Sequence, residues 1–138
     1  MKKVSQLDEY LFDLNGYLII ENALSKKELK DLNNILDKLK NLKHKEWAGY
    51  VHGHNYGGKE GLNLQQIYEA GKPFEKLIDH PSWINHMLHF VGGKDTFDQH
   101  HGPLFIDENF ANIRGQGEAI GIHSGAHEGT QRGHHRFE

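Results

Sequence analysis

Leu7, Tyr10, Leu11 and Leu14 recur at i, i+3, i+4 and i+7 behind Ser5 and Asp8, a spacing that predicts a short helix over residues 6–14. Ser5 is placed to cap it and Gly16 to stop it in the left-handed conformation. The competing reading folds Tyr10–Leu14 onto Tyr17–Ile20 about Asn15-Gly16, a strong hairpin signal; helical spacing and the cap favour the helix. Tyr17-Leu-Ile-Ile20 is β-rich and continuous, which predicts a short strand covered on both faces. Ser25-Lys-Lys-Glu28 then reads as a capping box, with Leu24 and Leu29 available as a staple. The following stripe, Leu29, Leu32, Ile35, Leu36, Leu39 and Leu42, lies opposite a lysine-rich face that is expected simply to be solvated.

Periodicity then fades. Residues 47–61 are rich in Gly, His and Tyr and are expected to form a loop. Leu64–Ala70, closed by Gly71, and Pro73–Asp79 read as helical pieces, the second turning Phe74, Leu77 and Ile78 inward. Pro81 is suited to the first position of another helix with Trp83, Ile84, Met87, Leu88 and Val91 on its buried face, leaving His86 and His89 at the surface. Leu104–Ile106 and Asn109–Arg114 read as strands, the latter alternating polar and apolar side chains, and Glu118–Ile122 is strand-like. The pattern divides the chain into a mainly helical region with one short strand, residues 1–93, and a strand-bearing region, residues 94–138, within one domain.

Composition narrows the function. Sixteen Lys and Arg against 19 Asp and Glu give a net charge of −3, which argues against nucleic-acid or anionic-membrane binding. No apolar run is long enough to span a bilayer, and Asp8, Glu9 and Asp13 interrupt any leader-like stretch, so the expected compartment is cytoplasmic. With no cysteine and 12 histidines, any metal would be held by imidazole and carboxylate.

Four constellations invite chemistry. Gly115-x-Gly117-x-x-x-Gly121 follows a strand but lacks the helix start and the later acidic residue of a dinucleotide turn, so its glycines are read as loop residues. Ser124 beside His123 lacks the glycine pattern of a nucleophile elbow. His52-Gly-His54 puts two imidazoles on one face if extended, a weak metal signal. The most informative is His123-Ser-Gly-Ala-His127-Glu128 after a strand-like run, where His123 reads equally as a strand-end hydrogen-bonding residue or as a ligand of a two-His-one-carboxylate centre.

Phe12-Asp-Leu-Asn-Gly-Tyr-Leu-Ile-Ile20, Asn22-Ala-Leu-Ser-Lys-Lys-Glu-Leu29, His80-Pro with the helix to Gly92-Gly93, and Asn109-Phe-Ala-Asn-Ile-Arg114 before a Gly-rich loop and His123 occur in an order that resembles the N-terminal portion of the phytanoyl-CoA dioxygenase family. The resemblance implies an α+β fold in which N-terminal helices pack on a partial double-stranded β-helix, or jelly roll, with the second half of the barrel missing. It also implies Fe(II) and 2-oxoglutarate as cofactors, and hydroxylation of a small-molecule substrate, an acyl-CoA or a polar metabolite, coupled to oxidative decarboxylation of the oxoacid.

His123 matches the family's proximal metal histidine. Gly125 stands where its acidic ligand usually does, which leaves three readings: Glu128 or a later residue as the carboxylate, a shifted match with His127 as ligand, or kinship with the related iron halogenases. Asn112 and Arg114 share a strand face and are candidates for holding substrate or oxoacid, Arg114 through a two-bond clamp on a carboxylate, against the alternative of an outward ion-paired Arg. The distal histidine and oxoacid-pairing basic residue have no counterpart in the sequence, so the chain is expected to be an incomplete dioxygenase, inactive alone. The reading of another class is a non-catalytic module that binds a partner or a divalent metal.

Overall fold

The computed structural model describes residues 3–56, 59–92, 102–104, 106 and 108–120. Helix α1 spans Gln6–Asn15, capped by Ser5, whose hydroxyl accepts from the Asp8 N–H while the Asp8 carboxylate accepts from the Ser5 N–H. Gly16, at φ 74°, ends it in the left-handed conformation. Helix α2 spans Lys26–Leu39 and opens with the same reciprocal box, Ser25 with Glu28.

The two helices use their apolar residues differently. In α2 the expected stripe packs except at its first member: Leu32 is buried, Ile35, Leu36, Leu39 and Leu42 lie against the core together with Leu24, and Leu29 is 46% exposed. In α1 the stripe points outward. Leu7, Tyr10 and Leu14 are 62–65% exposed, whereas Asp8, Leu11 and Phe12 turn inward. The ring of Phe12 stacks on Phe90, with centroids 4.3 Å apart. Tyr17–Ile20 is not a strand: it has no ladder partner, and Tyr17 and Ile19 stand exposed.

The segment 47–61, expected as loop, instead supplies β1 (Trp47–Ala48) and β2 (Val51–His54), and β3 (Leu62–Gln65) occupies the start of the expected helix at 64–70. Only Ile67–Ala70 of that helix survives, as one 3₁₀ turn entered through Gln66 at φ 58°. Gly53 explains why the alternation was hard to read. Val51 and Gly53 both face the core, yet the second carries no side chain, because residues 43–46 cross over it and a Cβ there would collide with the Lys43 carbonyl.

After the 3₁₀ turn come α3 (Lys72–Glu75) and α4 (Ile84–Phe90), both shorter than expected. The buried face of α4 also departs from expectation. His86 is 4% exposed, while Met87, Leu88 and Val91 stand partly in solvent. Phe110–Ile113 forms β4, within the expected strand, but Leu104, Ile106 and residues 118–120 are not in strands. Residues 118–120 instead lie in a loop that the Ala119 N–H ties to the Lys59 carbonyl.

Among the described residues the sheet is a four-stranded antiparallel meander, β1-β2-β3-β4, so the fold is α+β. Its register aligns Trp47, His52, Gln65 and Phe110 in one row and His54, Asn63 and Asn112 in another. The rows between them, Val51, Leu62, Leu64, Ala111 and Ile113, meet α2, the 3₁₀ turn and Phe74 of α3. Each fully buried aliphatic chain there contributes about 1.5–3 kcal/mol.

Candidate functional site

Because side chains alternate along a strand, packing Val51, Leu64 and Ile113 against the helices sends His52, His54, Asn63, Gln65, Phe110 and Asn112 to the opposite face. That face is polar and ring-lined. Trp47 lies over His52 at 4.5 Å between centroids, and His54 contacts both His44 at 5.0 Å and Tyr56 at 4.3 Å. Gln65 Nε2 donates to the Tyr56 hydroxyl at 3.0 Å. Asn63 is 2% exposed, and among the described residues its Oδ1 has no hydrogen-bond partner. A buried unpaired carbonyl carries a desolvation cost of about 1–3 kcal/mol.

Asn112 and Arg114 share this face, as alternation requires, and both are exposed. Asn112 sits directly across from Asn63. Arg114 forms no ion pair among the described residues; its Nε donates to the Glu60 carbonyl at 3.3 Å. Gly61 makes the neighbouring backbone possible: at φ 79° a Cβ would press on the Ile113 carbonyl. The sequence-designated ligands His123, His127 and Glu128, with Gly125, lie outside the described residues.

His52 and His54 do share a face, and their rings stand nearly perpendicular with centroids 6.4 Å apart. His44 Nδ1 accepts from the Asn55 N–H at 3.0 Å, which commits one of its ring nitrogens. Among the described residues no group of three or more His, Asp or Glu side chains is arranged to hold a metal ion.

Three other histidines have structural work that sequence reasoning did not foresee. His80 is buried, stacks on Trp83 at 4.3 Å, accepts from the Ser82 N–H through Nδ1 and therefore donates from Nε2 to Glu28 at 3.1 Å. The Ser25 hydroxyl and N–H, then His80, hold the Glu28 carboxyl down at about 2. Asp8 is likewise lowered, first by its bonds from the Ser5 N–H and hydroxyl and then by His86. His86 Nε2 stands 3.6 Å from Asp8, too far for a hydrogen bond, and among the described residues both ring nitrogens of His86 are otherwise unpartnered. His89, which is at the surface as expected, pairs with Glu9 at 2.9 Å. The available signal was spacing: a first-turn acid on each of two helices, and histidines three apart on a third.

The described residues thus define an α+β unit whose antiparallel sheet is covered by helices on one face and lined by imidazoles, amides and aromatic rings on the other. Comparison with protein-family models, curated proteins and solved structures returns no match to this chain. Among the described residues no helix is long and apolar enough to cross a membrane.

Proposed function

We propose that this chain supplies the N-terminal part of a non-haem iron(II)- and 2-oxoglutarate-dependent dioxygenase of the phytanoyl-CoA dioxygenase type, its sheet forming one wall of a jelly roll. One observation carries the reading: strands β2, β3 and β4 present a polar face on the side away from the helices, with Asn63 Oδ1 buried there and unsatisfied among the described residues. A wall of that kind suits the interior of a ligand-holding barrel better than a solvated exterior.

On this reading His123 is a metal ligand, with His127 and Glu128 as the further candidates close by in sequence. Imidazole and carboxylate are the donor types suited to ferrous ion. When bound, iron with 2-oxoglutarate as co-substrate and dioxygen as the oxidant would supply the chemistry for hydroxylating a C–H bond. The protein residues position and shield. The guanidinium of Arg114 pairs with a carboxylate of the oxoacid, Asn112 offers an amide beside it, and the ring-lined strands exclude water from the substrate.

The test is anaerobic titration of the natural gene product containing this sequence with ferrous ion and 2-oxoglutarate. A weak visible charge-transfer band is expected, lost in His123→Ala and requiring several-fold more 2-oxoglutarate in Arg114→Ala. No band, or a band unchanged in His123→Ala, would sink the proposal.

A further inference from the structure

We infer that the face of the sheet away from the helices binds an uncharged sugar, a pyranose or its glycoside, whose C–H face lies on the rings of Trp47 and Tyr56 and whose hydroxyls meet the amides beside them. The inference deepens the oxygenase reading: it rests on that reading for the face being a ligand wall, names the class of substrate, and uses none of the metal chemistry. The strand register sets the layout. Trp47, His52, Gln65 and Phe110 form one row across four strands, about 14 Å from end to end at ordinary strand spacing, and His54, Asn63 and Asn112 form another. Rings and amides therefore interleave.

Exposure and hydrogen bonding both point to a ligand of mixed character. Trp47 and Tyr56 are each 60% exposed and Phe110 is 38% exposed, so ring surface is available on the same face as the amides of Gln65 and Asn112. Gln65 Nε2 donates to the Tyr56 hydroxyl at 3.0 Å, which fixes the direction of that amide. A second observation is independent of the rings. Asn63 is buried, and among the described residues its Oδ1 has no hydrogen-bond partner, so this acceptor calls for a donor such as an O–H.

Ring geometry separates a puckered ligand from a flat one. Trp47 and His52 are inclined at 32°, His54 and Tyr56 at 64°, and His44 and His54 at 65°, so none of these pairs makes a parallel slot for a nucleobase. The C–H face of a pyranose accommodates inclined rings, and its hydroxyls, each a donor and an acceptor, match either end of an amide. A purely apolar body would cover Gln65 and Asn112 and leave their polar groups without water or partner. None of the seven residues in the two rows carries a fixed charge, so the rows offer hydrogen bonds rather than ion pairs.

The probes are methyl β-D-glucopyranoside, adenine and cyclohexanol, each titrated into the natural gene product containing this sequence, without iron or 2-oxoglutarate, and read by saturation-transfer NMR. Saturable transfer is expected for the glucoside, strongest at its ring C–H protons, with adenine and cyclohexanol binding at least about tenfold more weakly. Trp47→Ala and Gln65→Ala should each weaken the glucoside about threefold or more, whereas Tyr17→Ala, as exposed as Trp47 but off the sheet, should leave it unchanged. The inference is overturned by the absence of saturable transfer from the glucoside, by equal binding of adenine or cyclohexanol, by full binding in either sheet variant, or by an equal loss in Tyr17→Ala. The ferrous charge-transfer band reads the metal and the oxoacid alone. A band without glucoside binding therefore overturns this inference and leaves the oxygenase reading standing, and glucoside binding without a band does the opposite.

Discussion

The two faces of one sheet differ in what their residues are for. Leu64 and Asn63 are adjacent in β3 and about equally buried, yet Leu64 sits in a closed apolar layer while Asn63 leaves an acceptor unpaired. Burial alone does not distinguish the two faces; satisfaction does. A layer whose groups are all apolar has no further demand, whereas one holding an unpartnered carbonyl beside exposed amides and imidazoles has binding capacity to spare.

The largest break in this comparison should come from the helix-covered face. Leu64→Ala should cost about 3 kcal/mol, read as a lower midpoint in denaturant unfolding, because the site is closed and the cavity cannot collapse fully. Gly53→Ala should follow at about 2 kcal/mol, since the new methyl group meets the Lys43 backbone rather than a movable side chain. At the entrance to α2, Ser25→Ala should remove about 1 kcal/mol by leaving the Glu28 N–H without its cap. His52→Ala, on the polar face, should change stability by less than about 0.5 kcal/mol.

The smallest signal sharpens the picture at one carboxylate. Glu28 titrates at about 2 in the folded chain against an ordinary 4.5, so its folded value is depressed. Its contribution to stability is complete above the ordinary carboxylate range and is lost as pH falls through 4.5 toward 2. A side-chain carboxyl NMR titration should find the low midpoint in the native protein and a rise toward 4.5 in Ser25→Ala; an unchanged midpoint in that variant would assign the depression elsewhere.

Legibility followed local physics closely. The capping boxes at Ser5 and Ser25, the left-handed Gly16, the stripe of α2 and the strand at 110–113 are all readable because each depends on residues within one turn or one strand. The strands at 47–65 were hidden because glycine occupies a core position at 53 and because Leu64-Gln-Gln-Ile67 also fits helical spacing. The face of α1 was misassigned for a related reason. Of the expected stripe Leu7, Tyr10 and Leu14 are exposed and only Leu11 is half-buried, because Asp8 and Phe12 on the same helix meet His86 and Phe90.

Of the candidate site, the shared face of Asn112 and Arg114 was legible from alternation, but the row they join was not. That row depends on register between strands separated by as many as 49 residues, His54 through Asn63 to Asn112. By itself the sequence determined where α1 and α2 begin, where α1 stops and which side chains on a strand travel together, since these follow from capping geometry and backbone period. Only the tertiary structure decided which apolar stripe is covered, that His80 and His86 are buried, and that imidazoles, amides and rings distant in the chain line one face. The physical reason is that pairing and burial are settled by what arrives from elsewhere, and a short stretch of chain carries no record of its neighbours in space.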